Sequence, residues 1–184
     1  MSSAAHSTIT VECTEMRDQR QDRALGISLH TGWAACVVVG GSLQKPQIFA
    51  NEIVEILGDS ERFCFHLAAE MEYAAAETWL ARIREKAVAN ARRALSPLLA
   101  QMVGVCAIVA KEGAAGDLRE VLRSHPRLHA AEGFFYRDVL RVACTIPTQI
   151  ISPKSLDPSK VPKCAPAPWG RDQKLAALAG WSAI

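Results

Sequence analysis

Leu25-Gly26-Ile27-Ser28-Leu29-His30-Thr31-Gly32-Trp33 sets the architecture of this chain. An apolar run ends at Leu29, a His-Thr-Gly step follows, and a second apolar run opens at Trp33. Gly32 can adopt positive φ, so residues 30–32 read as a turn between two strands. The second run, 33–39, is almost wholly apolar, as a strand covered on both faces should be. Gly40-Gly41-Ser42 is expected to break it. A third strand is expected over 47–57, where polarity alternates around Glu52, Val54 and Ile56. Glu52 and Glu55 would then lie on opposite faces. Three strands joined by short turns form an antiparallel meander.

Downstream the periodicity becomes helical. Over 67–99, Met71, Ala75, Leu80, Ile83, Ala87, Ala91 and Leu95 fall roughly in line, while Arg82, Lys86, Arg92 and Arg93 lie off that stripe and read as a solvated face. The length exceeds an average helix and leaves room for a break. Residues 103–110 form a fourth apolar run, expected to pair in parallel because a long helix precedes it. A loop at 113–116 leads to a short helix at 118–122. Ser124 or His125 caps the next helix, with Pro126 at its first position. That helix should run to about residue 144 and bury Leu128, Phe135, Val139 and Leu140. A brief strand is expected at 148–151. Five prolines and three lysines make 152–168 a stiff, exposed connector, and a last helix is expected over 169–181.

Residues 1–22 lack sustained periodicity and are expected to be a disordered tail, leaving one domain over 23–184. A chain of 184 residues suits a single core. The net charge of +2 is too small to argue by itself for nucleic acid or an anionic membrane. No apolar run could span a bilayer, and the polar opening from Ser2 to Arg23 is not expected to act as a secretory signal, so a cytoplasmic protein is expected. The six cysteines are then expected to be free thiols, and none shows zinc-knuckle spacing.

The order β-β-β-α-β-α-β-α implies an α/β protein with a mixed five-stranded sheet flanked by helices. This order resembles the ribonuclease-H-like superfamily, and in particular the layout of Holliday-junction resolvases. The opening 25–33 is similar to that family's strand-turn-strand, where Gly-Ile-Asp-x-Gly is usual, and Asp172-Gln173-Lys174 resembles its closing acidic helix. His129-Ala130-Ala131-Glu132-Gly133 and the segment from Asp172 to Trp181 are similar to small bacterial proteins, a likeness that carries no activity. The resemblance implies acids on the first strand, at the end of the fourth and in the last helix, holding two Mg2+ ions for phosphodiester hydrolysis.

This sequence departs from that pattern: Ser28 stands in the first-strand slot. Lys111 and Glu112 lie near the fourth-strand slot, and Asp172 fits the closing helix. Two functions are therefore weighed, with a different enzyme class using His129 and Glu132 as a third. One is a binding or assembly protein on a degenerate acidic site, using an exposed sheet edge or the connector with Trp169, with a homodimer among its expected partners. The other is a Mg2+-dependent nuclease for branched DNA or RNA/DNA hybrid. In it Glu112, Glu132 and Asp172 hold metal, Ser28, Lys111, Arg171 and Trp169 meet the nucleic acid, and His129 with Glu132 and Asp172 serve catalysis. His129 and Glu132 share a helix face with His125 one turn earlier, a set that could bind metal or act as an acid–base pair. The plainer reading is that Glu132 offsets the helix dipole. Trp33 and Trp181 are expected in the core, and Trp169 is expected to be an exposed aromatic.

Overall fold

A computed structural model describes residues 22–162 and 169–184. The expected tail, apart from Asp22, and the end of the proline-rich connector lie outside the described residues.

The apolar runs become five strands: β1 (Arg23–Leu29), β2 (Trp33–Ser42), β3 (Lys45–Glu55), β4 (Val105–Val109) and β5 (Thr148–Ile151). Their order across the sheet is β3-β2-β1-β4-β5. β1, β2 and β3 pair antiparallel, whereas β4 pairs parallel with β1 and with β5. This is the mixed meander-plus-crossover sheet expected from the element order. Gly32 takes φ +85° in the β1–β2 turn, closed by a 2.9 Å bond from the His30 amide to the Trp33 carbonyl.

The helices are α1 (Cys64–Ala69), α2 (Tyr73–Leu99), α3 (Leu118–Leu122), α4 (His125–Ala143) and α5 (Arg171–Trp181). Helices α1 to α4 pack on one face, where Leu25, Ile27, Cys36 and Val38 meet Ile83, Leu95, Val139 and Leu140. Helix α5 covers the other face, where Ala176, Ala177 and Trp181 meet Ala24, Val37 and Val39. Double coverage is why β1 and β2 are apolar at nearly every position. Tight seating of α5 depends on Gly26: a Cβ there would lie 1.7 Å from the Ala176 carbonyl oxygen. The Trp181 indole donates a buried 3.0 Å bond to the Gly40 carbonyl, tying the end of α5 to β2.

Three expectations change. The single helix over 67–99 is two, because Glu72 adopts extended geometry and its carboxylate accepts from the Ala74 amide, starting α2 afresh. β2 does not stop at Gly40; it continues to Ser42 and turns tightly into β3, with Gly41 at φ +67°. Phe135 is only partly buried, while Leu128, Val139 and Leu140 are buried as expected. The described part of the connector holds two 3₁₀ turns, Pro153–Ser155 and Pro158–Lys160, whose starts are capped by Ser152 and Asp157.

Candidate functional site

The parallel strands β1 and β4 end side by side, with Ser28 in register with Val109. In an open α/β sheet the carboxyl ends of such strands are where ligands bind. Here they open into a cleft of about 500 Å³. The first turn of α5 forms one wall through Arg171 and Asp172, α4 forms another through His129 and Phe134, and Lys111 follows β4 at the rim. Ser28 lies in the cleft lining and is buried.

Asp172 is already engaged: its Oδ1 lies 2.8 Å from His30 Nε2. The His30 ring stacks flat on Trp33, with centroids 4.1 Å apart and planes 2° apart. The carboxylate also sits in the first turn of α5, where it offsets the helix dipole. Lys111 and Arg171 are exposed and make no ion pair among the described residues. Among the described residues the cleft therefore presents two cations without an ion-pair partner and one acid already bonded to a histidine.

The other acids expected to hold metal do not join it. Glu132 is 1% exposed and points away from the cleft, toward α1, where its Oε1 lies 2.8 Å from His66 Nδ1. The carboxylate is swallowed because that face of α4 packs under α1 rather than facing the sheet end. Glu112 is exposed on the loop after Lys111 and is not part of the lining. Among the described residues, Asp172 is the one carboxylate lining the cleft. A pair of Mg2+ ions needs several converging hard anionic oxygens. One histidine-bound carboxylate and the Ser28 hydroxyl do not fit that group.

Trp169 is half-buried rather than exposed, because it packs against the α5-side cluster containing Ala24, Val37 and Trp181. It does not line the cleft. Trp181 is in the core as expected, and Trp33 is half-buried beneath His30. His129 stands at the cleft rim and also meets His125 and His66.

Sequence reasoning missed two residues. The sequence marks His30 only as part of a turn, although a polar residue just after a buried strand lies where such clefts form. His66 carried no local signal, since its partners lie on a helix far along the chain.

No family model matches the chain, and no curated protein matches its sequence. Among solved structures it is similar to T. thermophilus RuvC in complex with a Holliday junction substrate. The TM-score is 0.54 at 13% identity, covering 88% of this chain and 91% of that one. It is also similar to the Thermus thermophilus RuvC structure, with TM-score 0.50 at 10% identity over 87% of this chain and 92% of that one. The ribonuclease-H-like fold expected from the element order is therefore the fold of this chain. No helix among the described residues is long and apolar enough to cross a membrane.

Proposed function

We propose that this protein is a binding module on a ribonuclease-H-like scaffold, whose cleft engages the phosphate backbone of a nucleic acid without hydrolysing it. The observation that carries this reading is the charge inventory of the cleft. Among the described residues, a buried serine occupies the first-strand slot, the one acid lining the cleft is held by a histidine, and Lys111 and Arg171 make no ion pair. Such a site favours an anion and gives a cation pair little to hold. The structurally similar RuvC is in complex with a Holliday junction substrate, which supports branched DNA as the first ligand to try.

The test is equilibrium binding of labelled four-way junction and plain duplex DNA, across a series of salt concentrations. Binding should weaken with salt. The Lys111→Ala and Arg171→Ala variants should each bind more weakly and flatten the salt slope by about 1. Failure of the wild-type chain to bind either DNA at low salt, or binding untouched by both substitutions, overturns the proposal.

A further inference from the structure

Beside the cleft, on the side of α4 facing α1, three imidazoles converge. His125 and His129 are one turn apart on α4, so they share a face. His66 approaches from α1. The ring nitrogens of all three can be grouped within 4.8 Å of one another. His125 Nε2 and His129 Nε2 are 3.1 Å apart, and the His66 ring lies 4.5 Å from His129 and 5.1 Å from His125 between centroids.

We infer that His66, His125 and His129 form a site for a divalent transition-metal ion of the zinc class, open to solvent on one side. Zinc–nitrogen bonds near 2.0–2.1 Å in a tetrahedral set bring ligand nitrogens to roughly 3.3 Å apart, close to the spacing of His125 and His129. Three imidazoles with no carboxylate in the set suit zinc, cobalt, nickel or copper ions rather than magnesium or calcium.

The buried Glu132 supplies an independent observation. Its carboxylate is 1% exposed, and among the described residues its one hydrogen-bond partner is the His66 Nδ1. Burying a carboxylate is costly unless a partner compensates it. An imidazole held by a carboxylate through one ring nitrogen presents the other toward the metal, and this pairing is the usual outer support of metal-bound histidine. Glu132 thus fixes the ring that comes from the separate helix, which is the ligand that most needs orienting.

His125 and His129 are exposed, so the fourth coordination position faces solvent and would hold a water. Because His129 also lines the cleft rim, an ion at this site lies next to any ligand bound there. The site shares no residue but His129 with the cleft and does not depend on nucleic-acid binding.

The test uses the full chain, stripped with a chelator and titrated separately with Zn2+ and Co2+ by calorimetry and absorption. One equivalent should bind, and the Co2+ spectrum should be that of nitrogen ligands without a thiolate charge-transfer band. A double variant, His125→Gln with His129→Gln, alters exposed side chains only and should fold. It should weaken binding by roughly a hundredfold or more, while Glu132→Gln should weaken it roughly ten- to a hundredfold. His30→Gln should leave it unchanged. If Glu132→Gln does not fold, the double variant alone decides the matter. Absence of a bound equivalent, affinity untouched in the double variant, or a thiolate band marking a cysteine site would each overturn the inference.

Discussion

Replacing Gly26 with alanine probes the contact that carries Asp172 into the cleft. The added Cβ would lie 1.7 Å from the Ala176 oxygen, 2.6 Å from its carbonyl carbon and 3.0 Å from the Gly180 nitrogen. All three are backbone atoms, so no side chain can swing aside. Helix α5 must retreat by roughly 1 Å or more, loosening Ala176, Ala177 and Trp181 from Ala24, Val37 and Val39. Overpacking usually costs 1–3 kcal/mol, and a backbone-on-backbone clash belongs at the upper end, so about 3 kcal/mol is expected. For a domain of this size each kcal/mol lowers Tm by about 2–4 °C, so a fall of about 6–12 °C should appear in thermal melts followed by circular dichroism. The matched control is Gly133→Ala on the exposed surface of α4. A Cβ there meets nothing within 4 Å, and the helix should gain about 0.5–1 kcal/mol. A Gly26→Ala melting curve superimposable on wild type would refute the packing of α5 on β1.

Other consequences follow from the same structure. Burial pushes the Cys64 thiol up to about 12, with the nearby Glu132 carboxylate adding to it, and burial also raises Cys36 and Tyr136 well above their ordinary values. These groups stay neutral in the folded state while the unfolded chain ionises its thiols above the ordinary value of 9.0. The stability they contribute is complete below pH 9 and is lost as pH climbs toward 12, by at most about 1.4 kcal/mol per pH unit for each thiol. Denaturant midpoints measured from pH 7 to 11 should stay level and then fall; a midpoint that rises above pH 9 would contradict this burial. Trp181→Phe should cost about 1–3 kcal/mol in the same unfolding experiment, since it strands the buried Gly40 carbonyl. A loss below a few tenths would mean that this bond does not hold α5 to the sheet. In native-state alkylation mapped by mass spectrometry, Cys36 and Cys64 should remain unmodified until denaturant is added; rapid labelling of either in the folded protein would contradict their burial.

Much of the fold was legible because the strands announce themselves. The 33–39 run is apolar at successive positions, and only a strand covered on both faces needs that. Gly32 marked its turn through the backbone conformation it alone tolerates freely. The division of the long helical stretch was not legible, since nothing in Glu70-Met71-Glu72 is a helix breaker. The break is made by a capping bond from Glu72, whose carboxylate could equally have faced solvent on an unbroken helix.

The site was legible in part. Ser28, Lys111, His129, Arg171 and Asp172 line one cleft, because they sit at strand ends and helix starts that the fold brings together. Glu132 could be placed on the face shared with His129, but not assigned its partner. That partner, His66, comes from α1, and periodicity says nothing about contacts between separate helices. Trp169 misled because its flanking proline and glycine suggested a loop, whereas the indole packs against the sheet.

The direct trial of a cleft that grips phosphate without cutting it is to incubate the protein with a four-way DNA junction and millimolar Mg2+ or Mn2+, then resolve the strands on a denaturing gel. The junction should be retained by the protein and recovered with every strand intact. Metal-dependent scission that disappears in Asp172→Asn would show that Asp172 leaves His30 to hold a catalytic ion, and the non-hydrolytic reading of Ser28 would be lost.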